Sequence, residues 1–224
     1  MVGGSRGIGF AIAQAAGRAG ATLALIARKS RELQRAATEL GAAIAIPADI
    51  TRPRDVQRAF REIGRRFSKL DVLVNSAGTF AFKPLDETTL GDWQQNLDSN
   101  LTSLFLTTRA ALPMLTRSRG HIVNILSISS RQAFVRCSAY TAAKFGALGF
   151  TRVLADELRP KGIRVTAVLP GATNTRLIRA FGFPVDRAAL VQPEDVAETV
   201  LGVLRMPTNA SVDEIVITPS RGAL

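Results

Sequence analysis

Residues 1–17 read MVGGSRGIGFAIAQAAG. Gly3, Gly7 and Gly9 form G-x-x-x-G-x-G and run straight into the apolar stretch Phe10-Ala11-Ile12-Ala13. Glycine adopts backbone angles that side chains forbid and lets main chain approach a ligand closely. A helix starting there would offer free N–H groups and its positive dipole end to an anion such as a pyrophosphate. Alone, the pattern fits a structural turn as well as a ligand loop. The chain that follows decides between them.

Short runs rich in Ile, Val and Leu occur at 22–27, 42–47, 70–75, 121–127, 163–169 and 212–218. They are continuous rather than alternating, the pattern of strands covered on both faces. Between them lie helical patterns at 7–19, 30–40, 53–67, 89–114, 139–158 and 193–204. Ser30 stands as an N-cap before Arg31-Glu32-Leu33, and Gln192-Pro193-Glu194-Asp195 puts Pro and acids in a first turn. Strand and helix alternating at this spacing imply βαβ units. The expected fold is therefore a single α/β domain over 1–224, a doubly wound, Rossmann-type, mainly parallel sheet with helices on both faces.

The strand before a glycine turn of this kind is the first of such a fold and lies mid-sheet. Only Met1 and Val2 stand there. Losing a central strand would strand the backbone groups of its neighbours. The expectation is a truncated first strand, with a natural product carrying about six more, apolar residues.

The chain has 224 residues, with 29 Lys and Arg against 18 Asp and Glu, a net charge of +11. The cations are scattered among acids, as in Arg52-Pro53-Arg54, Arg58, Arg61 and Arg65-Arg66, without a basic tract or an aromatic stacking series. This reads as a solvated, Arg-rich surface and not as a specific nucleic-acid site. No apolar run approaches the roughly 18 residues of a membrane span. One cysteine, Cys137, excludes an intrachain disulfide and suits the cytoplasm. One histidine, His121, has no partners with which to hold a metal, so no metal site is expected.

An acid about 20 residues past the glycines holds the ribose 2′-hydroxyl in NAD enzymes. Here the strand at 22–27 ends in Arg28-Lys29-Ser30, and Arg6 adds a cation inside the glycine turn. These cations suit a 2′-phosphate, so NADP is expected in preference to NAD. The plainer alternative is that Arg28 and Lys29 are merely exposed.

Tyr140 is the only tyrosine, and Lys144 follows it by four positions, on the same helix face. A nearby ammonium favours the phenolate, so a phenol pKa below its usual value near 10 is expected. Such a pair can exchange a proton with a substrate oxygen. Ser127 closes the strand at 121–127, and strand carboxyl ends are where open α/β sheets bind ligands. Asn100 sits inside the helical run 89–114, where asparagine is a poor choice for stability. Phe134 and Val135, in the loop with Cys137, are candidates to line an apolar substrate pocket.

These residues resemble the short-chain dehydrogenase/reductase family, over nearly the whole chain. Gly3 to Gly9, with Ser5, Arg6, Gly7 and Ile8, resembles its cofactor turn. Asp49-Ile50 resembles its adenine contact, and Asn75-Ser76-Ala77-Gly78 its N-x-A-G segment, which supports the sheet and borders the cofactor. Asn100, Ser127, Tyr140 and Lys144 match its catalytic tetrad, and Pro170-Gly171 with Thr175 the segment beside the nicotinamide carboxamide. The resemblance implies hydride transfer between NADP and a carbonyl or secondary alcohol. It implies proton transfer by Tyr140, orientation by Ser127, ribose contact by Tyr140 and Lys144, and a water positioned by Asn100. Within the family the chain is most similar to 3-oxoacyl-(acyl carrier protein) reductases and related carbonyl reductases, so an acyl thioester is among the implied substrates. A homodimer or homotetramer is implied too, through the helices at 92–114 and 139–158. Three departures stand out: Val2 where a threonine is usual, a short segment at 176–184, and a tail without the usual Gly-Gly. The competing readings are a non-catalytic NADP-binding sensor and an inactive, N-terminally truncated fragment.

Overall fold

The computed structural model describes residues 1–28, 30–41, 44–181 and 185–222. Among the described residues six parallel strands form, β1 (Ala24–Ala27), β2 (Ile44–Pro47), β3 (Val72–Asn75), β4 (His121–Ile125), β5 (Arg164–Pro170) and β6 (Glu214–Ile217). β1 pairs with β2, and β3-β4-β5-β6 run side by side. The registers set Ala24 opposite Ile44, Val72 opposite His121, His121 opposite Arg164 and Ala167 opposite Glu214.

The first three residues join these two groups. Val2 forms parallel bridges to Ile26 on one side and Asn75 on the other. Its N–H donates to the Val74 carbonyl at 2.8 Å, and Ser76 donates back to Val2 at 2.9 Å. On the other edge Ile26 donates to Met1 at 2.9 Å and Gly3 donates to Ile26 at 2.8 Å. Val2 is 1% exposed and packs into the core. Met1 and Val2 thus occupy the centre of the sheet, the position expected for the first strand.

Helices cover both faces, as expected. On one face lie α1 (Gly7–Arg18), α2 (Ser30–Glu39) and α7 (Pro193–Leu204). Ile12 of α1 and Val196 and Val200 of α7 pack against Val74, Val123 and Val168. Leu33 of α2 meets Leu25. On the other face lie α3 (Pro53–Arg66), α5 (Ser103–Ser118) and α6 (Ser138–Leu158). Phe60, Leu115 and Leu158 there pack against Ile26, Leu73, Ile122 and Val165. Along β4, Ile122 faces one layer while Val123 and Ile125 face the other, the two-fold alternation of a strand buried on both sides.

The start of α7 is as the sequence suggests: Pro193 opens it, and Asp195 accepts the Gln192 N–H at 2.8 Å. The run at 89–114 is different. It divides into α4 (Leu90–Leu97), a π-helical turn (Asp98–Thr102) and α5. Side chains there compete for the carbonyls of the helical ladder. Asn100 donates to Asn96 O at 3.0 Å and Ser103 to Ser99 O at 2.9 Å, while Ser99 donates to Gln95 O. Such bonds to the residue four back loosen an α-helix and favour a wider turn, a feature common at functional sites.

Candidate active site

A cleft of about 1020 Å³ opens along the carboxyl ends of the strands. The glycine turn forms one part of it. Gly3 has φ +80° and Gly7 φ +56°, both left-handed. A Cβ on Gly3 would meet the Ala77 backbone nitrogen at 2.7 Å, so the turn lies directly on the loop after β3. Gly3, Ser5, Arg6, Gly7 and Ile8 line the cleft, whereas Gly9 packs beneath the Gly3 carbonyl and serves the turn itself.

Arg28, Asp49, Ile50, Ala77, Gly78, Pro170, Gly171 and Thr175 also line the cleft, as the sequence suggests. Lys29 lies outside the described residues. Asn75 is a correction. It does not line the main cleft but sits in a buried polar chain. Its amide donates to Asn124 Oδ1 at 3.0 Å, Asn124 donates to Thr151 Oγ1 at 3.0 Å, and the Thr107 hydroxyl donates to Asn75 Oδ1 at 2.9 Å. Asn75 therefore ties β3 to β4 and α5.

The cations at the turn are not all free for a phosphate. Glu32, in the first turn of α2, lies 3.7 Å from Arg6 and 3.1 Å from Arg176. Arg28 lines the cleft nearby. Asp49 is engaged locally, accepting from Thr51 N at 3.1 Å and Thr51 Oγ1 at 2.8 Å.

Asn100, Ser127, Tyr140 and Lys144 converge on the cleft from three elements. The π-helical turn carries Asn100, the loop after β4 carries Ser127, and the first turns of α6 carry Tyr140 and Lys144. Ser127 is near enough to the Tyr140 phenol to favour its ionised form, and it accepts the Ser129 N–H at 3.1 Å. The Lys144 ammonium lies 5.6 Å from the Tyr140 ring centroid and 3.4 Å from the Ile125 carbonyl. Asn100 donates to Thr79 O at 3.0 Å as well as to Asn96 O, and its Oδ1, buried, accepts from no described group. A Cβ on Gly78 would meet Asn100 Oδ1 at 2.5 Å and Lys144 Nζ at 3.9 Å. Both polar atoms thus face one small space that only glycine leaves open.

The expected lowering of the Tyr140 pKa is overturned. Burial pushes it up to about 12, the nearby Ser127 hydroxyl opposes this, and Cys137 adds to the rise. Burial also brings Lys144 down to about 8. In both groups the largest cause is the removal of the charged form from water.

A family model described as "short chain dehydrogenase" matches residues 1–182. The chain belongs to that family. An uncharacterized oxidoreductase of Staphylococcus aureus (strain USA300) is 33% identical over 222 residues, 98% of this chain and 95% of the relative. The alcohol dehydrogenase of the archaeon Thermococcus sibiricus, solved with 5-hydroxy-NADP, superposes with a TM-score of 0.92 at 28% identity, over 100% of this chain and 97% of that one. A metagenomic short-chain oxidoreductase in complex with NADP gives 0.85 at 29% identity, over 98% and 95%. This short-chain dehydrogenase is an NAD(P)-dependent oxidoreductase with a Rossmann-like fold. Among the described residues no helix is long and apolar enough to cross a membrane.

Sequence reasoning identified Phe134 and Val135 as pocket candidates, and both line the cleft. It missed Phe80 and Phe82, which line it too. Their signal was only their position, directly after the N-x-A-G segment.

Proposed function

We propose that this short-chain dehydrogenase reduces a ketone to a secondary alcohol, or the reverse, using NADP in preference to NAD. The observation that carries the reading is the convergence of Ser127, Tyr140, Lys144 and Asn100 at one end of a cleft whose other part is the glycine turn. The residues fit such a cofactor. The turn leaves the backbone of residues 3–8 open to a pyrophosphate, and Arg28, with no acid beside it in sequence, suits a 2′-phosphate. Asp49 and Ile50 would border the adenine, Ala77, Gly78, Tyr140 and Lys144 the nicotinamide ribose, and Pro170, Gly171 and Thr175 the carboxamide. NADPH, when bound, supplies the hydride.

The chain's own groups supply the rest. With its pKa near 12, Tyr140 holds its proton throughout the neutral range, the form a proton donor to a carbonyl oxygen needs. Ser127 orients that oxygen beside the phenol. Lys144, with a pKa near 8, can re-supply the proton close to neutral pH. The open acceptor on Asn100, facing the same space, holds a water between Lys144 and solvent. A 3-oxoacyl thioester is one carbonyl to be tried. The single domain would work as a dimer or tetramer in the cytoplasm: Phe105 of α5 and Phe145 and Val153 of α6 are 42%, 45% and 54% exposed and suit contact with a second copy.

The test is NADPH consumption with a carbonyl panel that includes acetoacetyl thioesters and activated ketones, run beside NADH. Tyr140→Phe is expected to lower turnover by about 10²–10⁴-fold while NADPH still binds. Arg28→Ala is expected to weaken NADPH by about tenfold and leave NADH unchanged, the loss of one charge-assisted phosphate contact. NADPH binding without turnover of any carbonyl would instead support a sensor.

A further inference from the structure

Next to Tyr140 the cleft has a wall whose chemistry selects a substrate. The Phe80 ring meets the Tyr140 ring edge-on, with centroids 4.8 Å apart and an interplanar angle of 83°. Phe82 follows, 6.2 Å from Phe80. The loop before α6 closes against this pair: Lys83 N–H donates to Arg136 O at 2.8 Å, and the Arg136 guanidinium lies 5.1 Å over the Phe82 ring. Arg136 has φ +63°, an angle that residues other than glycine seldom adopt. Such an outlier beside a site is a pointer to function. The same loop places Phe134 and Val135 on the cleft, and Val135 is 84% exposed.

The Arg136 guanidinium stacked on Phe82 does not itself line the cleft. Lys83 pairs with Asp92 at 2.8 Å and does not line it either. Among the described residues, the charged lining residues stand on other segments: Arg6, Arg28, Glu32 and Asp49 in the half with the glycine turn, and Arg176, Arg187 and Glu194 after β5. Lys144 is buried beside Tyr140.

Resting on the reading that this cleft reduces a carbonyl, we infer that its substrate is an uncharged ketone bearing an aromatic or similarly flat apolar group, and that Phe80, Phe82 and Val135 set that preference. A flat ring gains edge and face contacts with these side chains. A carboxylate on the same carbon would lose its water against them without a partner. A long flexible acyl chain would be ordered at an entropic cost while using little of the ring surface.

The experiment compares methyl benzoylformate, its free acid benzoylformate, and acetoacetyl-coenzyme A as substrates with NADPH. The ester is expected to exceed both others in kcat/KM by about tenfold or more. Phe82→Ala is expected to raise KM for the ester by about tenfold while the NADPH Kd stays within about twofold, which shows the variant is folded. Val135→Lys, which offers the acid a partner at an exposed position, is expected to erode the preference for the ester over the acid. The inference is overturned if the acid or the thioester is used as well as the ester, or if both variants leave the ratios unchanged. If no carbonyl turns over, the parent reading fails. Saturation-transfer NMR of the ester's ring protons with NADP present then decides the wall alone. Transfer that is lost in Val135→Lys supports the inference, and absence of transfer to the wild-type protein overturns it.

Discussion

Gly78→Ala attacks the space shared by Asn100 and Lys144 without altering either. The added methyl would meet Asn100 Oδ1 at 2.5 Å, nearly an ångström inside ordinary contact. The carboxamide must yield, but it is anchored by two 3.0 Å bonds, to Thr79 O and Asn96 O. Giving up both, at about 1 kcal/mol each, implies a destabilisation of about 2 kcal/mol, within the roughly 1–3 kcal/mol range of an overpacked core. In a chain of this length that corresponds to a fall in Tm of about 4–8 °C. In an Asn100→Ala background the obstacle is gone, and the same methyl is expected to cost about zero. Chemical denaturation of the wild type, both single variants and the double variant therefore yields a coupling energy of about 2 kcal/mol. If Gly78→Ala is equally costly with and without the Asn100 carboxamide, the proposed clash is wrong.

Three further outcomes follow from buried polar groups. Thr166 Oγ1 donates its one proton to Val212 O at 2.6 Å, so it accepts from His121 Nε2 at 2.8 Å. Burial, with help from Arg164, lowers the His121 pKa from 6.5 to about 4. The stability this group contributes is complete above pH 6.5 and is lost as pH falls toward 4, up to about 3 kcal/mol. His121→Gln is expected to flatten that slope in a pH series of urea unfolding. Asn124→Leu leaves the Asn75 amide without its acceptor and is expected to cost roughly 1–3 kcal/mol by thermal unfolding. Turnover in the reducing direction is expected to fall as pH rises through about 8, where Lys144 loses its proton. A flat kcat profile from pH 7 to pH 9.5 would remove Lys144 from the proton path.

The strands were legible from their apolar runs, and β4 shows burial on both faces most clearly, with all five residues buried, whereas β6 at the sheet edge is only partly covered. The groups that meet at the cleft were legible as well, since Tyr140 and Lys144 stand four apart on one helix and Ser127 ends a strand. What sequence spacing did not carry is environment. Periodicity cannot distinguish a π-helical turn at Asn100 from the α-helices on both sides of it. The fall of the Tyr140 pKa was expected from a neighbouring charge, yet burial, which spacing does not encode, moves it the other way. Glu32 reaches Arg176 across 144 residues of chain, a pairing no local pattern reveals. Asn75 read as a neighbour of the cofactor, but its amide belongs to a chain of buried side chains drawn from β3, β4, α5 and α6.

The central claim is hydride transfer to a carbonyl with Tyr140 as the proton donor. NADPH deuterated at nicotinamide C4, incubated with a flat apolar ketone and the enzyme, tests it directly by mass spectrometry of the alcohol. The expected product carries one deuterium on the carbinol carbon in the wild type and is nearly absent with Tyr140→Phe. Cofactor binding with no deuterium in any alcohol, or undiminished transfer in Tyr140→Phe, would contradict the account.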